Sequence, residues 1–529
     1  MSNTRIIAKN TGWYGIESVI SFVVTLFTSI VIARTLGPSK MGYMIYVMWI
    51  ASIVSSLGGM GIPATTRKYM AEFLGLGDRG TARYVYLRTL VLQSGLATLA
   101  TGGILVWIYF DAQSGYGLAS ALVALSIWPS MVNSISAQAN VAAETLSANL
   151  PGSVVSVIIF FIAIMATAIL KWGVIGVGAS LLAMRTVDFL VRVVPTFHRI
   201  HSWESEHLYP PGLGARMVSF AWQSVASMIL AIIVWDRSEF FLLKRFCSDI
   251  RQVAYYSVAF NMSERLLISA SVFGAASGAT IFAQYGRDKS RLAGIAASTF
   301  RYLAMTSIPL HLIASSLAVP ALLLLYGKAY HGAAAVVTLA PLLCLPKAFL
   351  SPAQNLLESS EKQGYVIGAT IFAGMMDIGV AWYLIPKYGA VGACIGSGAA
   401  QILAVGTMWA VCIYLYKIQL SWSHLAKVGL TSVASSITAY SIAASFTPVW
   451  GILLGGMASL TVLFGLMYLL RVFDPQDRDR FATLACFLPK AYSRPINLFL
   501  SLLARTPTLQ RDGMEPLPDI LAHEEITHD

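Results

Sequence analysis

The chain has 529 residues, of which 57% are hydrophobic and 12% charged, with a formal net charge of +11 and a mean hydropathy of +0.68. Soluble domains carry about 25% charged residues, so the polar surface is too small to cover a water-exposed globule, and the composition predicts an integral membrane protein without a sizeable soluble domain. The basic excess lies in short loops and the tail, where membrane topology accounts for it, and this argues against nucleic acid as a partner.

A crossing helix needs about 20 apolar residues. About fourteen runs qualify, near 13–33, 42–62, 84–110, 117–140, 151–170, 174–194, 215–242, 252–281, 295–325, 334–357, 364–385, 389–415, 426–446 and 449–470. In lipid the backbone must satisfy its own hydrogen bonds, so these runs are helices. The alternation of a membrane barrel is absent. The run after Trp13 lacks a small-residue cleavage site and does not read as a removable signal. Cys247, Cys344, Cys394, Cys412 and Cys486 are scattered and show neither metal spacing nor a disulfide framework.

Basic residues set the expected orientation. Arg5, Lys9, Arg67, Lys68, Arg79, Arg83, Arg287, Lys289 and Arg291 fall on the side of the N-terminus, as does the basic tail. Arg34, Lys40, Lys171, Lys244, Arg245, Arg251, Lys328 and Lys387 fall on the other. The larger set faces the cytoplasm by the positive-inside rule, which places both termini there.

The chain also repeats itself. Tyr43 matches Tyr255, and Ala71-Glu72-Phe73 matches Ala283-Gln284-Tyr285, both at an offset of 212. Glu144 matches Glu358 at 214, and Lys171 to Gly176 matches Lys387 to Gly392 at 216. Four ordered matches at nearly one offset indicate an internal duplication. Six spans separate each residue from its copy, so the halves run the same way and are related by an axis along the membrane normal. The expected fold is an all-α membrane protein of about 14 helices. An N-lobe (1–196), a cytoplasmic linker (197–214) and a C-lobe (215–416) form two parallel six-helix lobes, followed by two accessory helices (417–470) and a cytoplasmic tail (471–529). His198, His201 and His207, around the linker, lack a tight ligand pattern. In the tail, Phe481 to Leu503 reads as interfacial, and the end after about Thr506 as disordered.

Arg34-Thr35-Leu36-Gly37-Pro38 followed by Gly42-Tyr43 resembles the first-hinge signature of the polysaccharide transporter (O-antigen flippase) family. That family belongs to the multidrug/oligosaccharidyl-lipid/polysaccharide exporters. Leu325-Tyr326-Gly327-Lys328-Ala329-Tyr330 resembles its later outer-loop pattern, and Asn355 with Gly364 the inner turn that follows. The likeness covers about residues 10–470. It departs at the second hinge, where Val253-Ala254 stands in place of a usual glycine. The resemblance implies alternating-access flipping of polyprenyl-diphosphate-linked oligosaccharide across the cytoplasmic membrane. It implies lipid-linked oligosaccharide, membrane lipids and other polysaccharide assembly proteins as partners, with no cofactor.

A charge inside a span costs about 2.5–3.5 kcal/mol on insertion scales, so it faces a cavity or a partner. Arg265, Arg301 and Lys347, with Arg34, Arg185 and Arg237, are the candidates for a cationic cleft that takes a diphosphate, to which Arg offers a planar fork and Lys a point charge. Lys347 is flanked by Pro341, Pro346 and Pro352, which interrupt a helix. Glu264 and Arg265 lie about 100° apart on a helix, so at least one reaches the cleft. Arg185 and Asp188 share one face, where mutual neutralisation is the competing reading. Glu17, Asp188 and Asp377 are the candidates for coupling to H⁺ or Na⁺. The rival expectations are a multidrug exporter of the same superfamily and a membrane glycan polymerase or ligase. No nucleophile–base motif or nucleotide-binding loop supports an enzyme.

Overall fold

The computed structural model describes residues 3–111, 115–203, 210–235, 238–287 and 289–473, and among them there is no strand. Helix α1 (Asn3–Gly58) is broken at Gly37, whose φ of 69° and ψ of 170° suit a residue without Cβ, and Pro38 opens the return arm. A second break follows at Met60 and Gly61, both left-handed, before α2 (Ile62–Gly75) continues the arm. The first half is completed by α3 (Arg79–Asp111), α4 (Gly117–Leu125), α5 (Ile127–Ala142), α6 (Leu150–Leu170) and α7 (Gly173–His201). The second half holds α8 (Leu213–Trp235), α9 (Glu239–Phe246), α10 (Arg251–Glu264), α11 (Ile268–Arg287) and α12 (Leu292–Leu325). It continues with α13 (Ala334–Cys344), α14 (Leu350–Ser359), α15 (Gln363–Tyr388) and α16 (Ala390–Tyr416). Helices α17 (Trp422–Ser445) and α18 (Pro448–Leu469) follow and pack against α12.

Packing recurs from one half to the other. Helix α2 lies on α3 and α5, α4 on α7, and α6 on α7; correspondingly α11 lies on α12 and α14, α13 on α16, and α15 on α16. Turn geometry recurs as well. Gly115 (φ 92°) and Gly327 (φ 86°) are 212 residues apart, and Gly173 (φ 58°) and Gly389 (φ 54°) are 216 apart. Tyr43 packs on Tyr116 with ring centroids at 4.2 Å, as Tyr255 faces Tyr330 at 6.4 Å. One expected pairing shifts. The left-handed residue opposite Glu144 (φ 55°) is Glu361 (φ 58°), not Glu358. In both turns the next N–H reaches five residues back at 2.9 Å, Thr145 to the Asn140 carbonyl and Lys362 to that of Leu357. Matching letters had aligned a helical glutamate with a turn glutamate.

The linker also begins later than expected. Helix α7 runs through Pro195 to His201, because a proline costs only the bond to one carbonyl when the surrounding turns hold. Residues 204–209, His207 among them, lie outside the described set, as does the tail from 474.

Among the described residues, ten segments are long and apolar enough to cross a bilayer. The polar helix α17 is not one of them, yet its Ser432, Ser435, Thr438 and Ser441 hydroxyls each donate to the carbonyl four residues back, which makes such a helix tolerable in hydrocarbon. Large apolar side chains such as Leu99, Ile169, Trp382 and Met457 are exposed on the outside, a surface suited to lipid. The chain is a multi-pass membrane protein.

The cores show how the halves meet. At the end marked by the Gly37 break, here the hinge end, Ala33, Met44, Tyr255, Tyr330 and Ala390 belong to one continuous buried cluster. At the opposite, far end the clusters are separate, one around Tyr69, Tyr86 and Ile200 and another around Leu303, Phe349 and Trp409. The hinge end is sealed by close backbone approach: a Cβ on Gly42 would collide with the Ile250 carbonyl oxygen. The Tyr330 hydroxyl donates to the Ala33 carbonyl at 3.2 Å. At the far end, α2 touches α8 through the Arg216–Glu72 pair at 2.9 Å.

Candidate functional site: a cavity between the halves

The return arm of α1 carries Met41, Met44, Met48, Ser52 and Ser56 at spacings of three and four, so they form one stripe along a helix. That stripe is the floor of a two-compartment cavity. The hinge-side compartment has a volume of ≈ 490 Å³ and lies between both arms of α1 and helices α6, α7, α9 and α10. Trp49, Phe160, Phe240, Asn261 and Glu264 line it, and Glu264 is its charged wall residue. The far-side compartment, also ≈ 490 Å³, lies against α2, α5, α7 and α8, and its charged wall residues are Arg67 and Arg185. Met48, Ser52 and Ser56 border both, so the compartments adjoin.

Arg185 reaches the cavity because its expected partner is taken. Asp188 makes a salt bridge to Arg192 at 2.9 Å and accepts from the Asn133 amide at 2.7 Å. One helical turn separates Asp188 from Arg192, the favoured spacing for such a pair. Arg185 makes no hydrogen bond or salt bridge among the described residues, and Asp188 acts on it only as a nearby opposite charge. Arg67 was expected in a loop. It sits instead near the start of α2, because the Met60–Gly61 break turns that helix toward the cavity. The N-terminus of α2 carries no capping side chain and no acidic residue in its first turn, so its partial positive charge adds to the two guanidinium groups.

Glu264 and Arg265 divide as their 100° separation requires. Glu264 ends α10 and reaches the cavity, while Arg265 opens a short 3₁₀ turn, Arg265–Leu267, behind it. Lys347 lies in a second 3₁₀ turn, Leu345–Phe349, entered through Pro346. The two turns pack together, and the Lys347 Nζ stands 3.8 Å from a Glu264 carboxylate oxygen. Lys347 thus approaches the cavity wall from behind Glu264.

The remaining candidates lie elsewhere. Arg301 lines a separate cavity of ≈ 130 Å³ between α12 and α17, with Ser421 and His424. Arg34 is exposed at the hinge end and donates from Nε to the Leu325 carbonyl at 2.8 Å and from a terminal nitrogen to that of Leu324. It caps the last turn of α12, where carbonyls lack helical partners. Arg237 and the Glu17 side chain lie outside the described residues. Asp377 on α15 is 2% exposed, beside Glu239 on α9, also 2% exposed, and the Ser238 hydroxyl donates to it at 3.5 Å. Glu239 did not stand out in the sequence, because it closes a polar run, Asp236-Arg237-Ser238-Glu239, between apolar stretches. Trp49 and the methionine–serine stripe were missed because they carry no charge, although their spacing was present to be read.

No family model and no curated protein sequence matches the chain. Solved structures do. The lipid II flippase MurJ in an inward closed conformation aligns with a TM-score of 0.68 at 14% identity, over 86% of this chain and 98% of that one. An inward-facing multidrug resistance MATE transporter of the MOP superfamily aligns at 0.62 and 16% identity, over 75% and 95%. A MOP superfamily transporter from Pyrococcus furiosus, described as having a binding pocket of reverse polarity, aligns at 0.53 and 15% identity, over 78% and 96%. The helices of this chain are therefore arranged in the fold shared by the flippase and exporter structures of the MOP superfamily.

Proposed function

We propose that the protein is a flippase that carries a polyprenyl-diphosphate-linked oligosaccharide across the cytoplasmic membrane by alternating access of two lobes. The observation that carries this reading is the pair of guanidinium groups, Arg67 and Arg185, on the wall of a cavity between the halves. An arginine in a membrane that no carboxylate contacts in a salt bridge is costly unless water or an anionic ligand meets it, and a diphosphate offers two anionic groups for two planar forks. The fold likeness to MurJ supports the same class of cargo. The lobes are residues 1–196 and 215–416, with the first lobe's last helix extended to His201. The recurring packing and turns support this division. The positive-inside count puts the far end, and both termini, in the cytoplasm, and the separate cores at that end favour opening there. The glycan enters the cavity while the lipid tail stays in the bilayer, and no catalysis is assigned.

Coupling to H⁺ or Na⁺ falls to Asp377 with Glu239. Two carboxylates that act on one another in a dry site repel when both are ionised, so a bound cation or proton stabilises the pair. Asp188 is engaged by Arg192 and Asn133 and serves the packing of the first lobe. A second reading, a cation exporter of the MATE type, is favoured by Glu264 on the cavity wall. Reconstitution tests the two. Proteoliposomes should flip a fluorescent polyprenyl-diphosphate oligosaccharide, and Arg67→Ala with Arg185→Ala should slow this at least tenfold. Undiminished flipping by the double variant removes the proposal, and uptake of organic cations dependent on Glu264 would favour the second reading.

A further inference from the structure

The far-side compartment has two kinds of wall. Arg67 on α2 and Arg185 on α7 give it guanidinium groups, whereas α5 and the return arm of α1 give it hydroxyls and an amide. Ser126, Ser130, Ser134 and Gln138 recur every four residues, so they run as a stripe along α5. Ser52, Ser55 and Ser56 border the same space from α1. Among the described residues that line the compartment there is no carboxylate and no aromatic ring.

These groups are not spent within the protein as hydroxyls on other helices are. On α17, Ser432, Ser435 and Ser441 each donate to the carbonyl four residues back. Ser52, Ser55, Ser56 and Ser130 make no such bond, nor any other hydrogen bond among the described residues, so their donors stay available to the compartment. Ser126 and Ser134 do donate, to the Val123 and Met131 carbonyls, both at 2.6 Å, and their oxygen lone pairs remain as acceptors. The Gln138 Oε1 is a further acceptor without a partner. Polar groups left unmet at membrane depth are costly. A phosphate oxygen could take the free donors but not the acceptors. A sugar hydroxyl donates and accepts, so a ring of hydroxyls meets both.

We infer that the α5 stripe is the subsite for the sugar bonded directly to the diphosphate. Ser130 and Gln138 are its specificity residues, which select a hydroxyl-rich ring over one of similar size without hydroxyls. This rests on the functional reading above, because the arginines that hold the diphosphate in that reading border the same compartment.

Calorimetry on the full-length protein in nanodiscs tests the subsite with two diphosphate diesters of farnesol, one glucosyl and one cyclohexyl, which carry the same charge. The wild type should bind the glucosyl probe at least tenfold more tightly. Ser130→Val with Gln138→Met, which keeps side-chain bulk and removes the polar groups, should shrink that ratio to about twofold and leave cyclohexyl affinity unchanged. Ser130→Thr, which adds the same bulk as valine and keeps a hydroxyl, should hold the ratio near the wild-type value. Arg67→Ala with Arg185→Ala should weaken both probes by a similar factor and preserve the ratio. Equal wild-type binding of the two probes overturns the inference without recourse to a variant, and so does a ratio that survives Ser130→Val with Gln138→Met. If neither probe binds, or both bind the double arginine variant as well as the wild type, the functional reading itself falls and takes the inference with it.

Discussion

Gly42 is the place where the hinge end can be forced apart by one methyl group. A Cβ at this position falls inside contact distance of the Ile250 carbonyl oxygen, with the carbonyl carbon at 3.1 Å and the Ala254 nitrogen at 3.5 Å. All three are backbone atoms, so no side-chain rotation relieves the clash, and α1 and α10 must separate by roughly 1 Å to reach an ordinary contact distance. Overpacking of this kind costs about 1–3 kcal/mol. Because the contact joins the two halves at the hinge end, the cost falls on the conformer sealed there and not on one that is open. Gly42→Ala should therefore shift the equilibrium toward hinge-end opening by roughly 5- to 150-fold. Ser29 lines the hinge-side compartment, so Ser29→Cys, in a background without the native cysteines, reports the change through its rate of labelling by an impermeant maleimide. A faster rate is expected with Gly42→Ala. An unchanged rate combined with lowered thermal stability would mean that the clash burdens every conformer equally. An unchanged rate and unchanged stability would mean that the helices do not approach this closely at all.

Two further substitutions separate packing from cargo recognition. Asp188→Ala leaves Arg192 within the first half without its carboxylate, held only by the Ser153 hydroxyl and the Asn149 carbonyl, and should cost about 3–5 kcal/mol in denaturant or thermal stability, whereas Asp188→Asn, which keeps an acceptor for Asn133, should cost clearly less; equal losses would show that the negative charge and not the acceptor is what matters. Arg34→Ala removes the donors on the Leu324 and Leu325 carbonyls and should lower stability by about 1 kcal/mol with cargo affinity unchanged, and a tenfold loss of affinity would put Arg34 on the cargo path instead.

Membrane class, helical content, the position of the Gly37 break and the repeat were all legible in the residues, since each depends on local composition, local spacing or a comparison of one stretch with another. The superfamily likeness read from the hinge motif agrees with the fold of the solved structures. The charged candidates were less legible. Proline spacing drew attention to Lys347 but could not say that it would meet Glu264, 83 residues earlier in the chain. Arg67 looked like a loop cation because the second apolar run ends near residue 62, and nothing local says that the Met60–Gly61 break turns the chain into a further helix that faces the cavity. Arg301 looked like a cleft residue because nothing nearby in sequence marks α17 as its neighbour.

Burial in lipid is a sum over twenty neighbouring side chains, so the sequence by itself determined which segments are helical and apolar, and its repetition determined that one plan is used twice. Which charges are neutralised and which face open space was decided only by the tertiary structure. A salt bridge depends on which faces of distant helices touch. Asp188 could have paired with Arg185 or with Arg192 by spacing alone, and its packing beside Asn133 and Arg192 left Arg185 to the cavity.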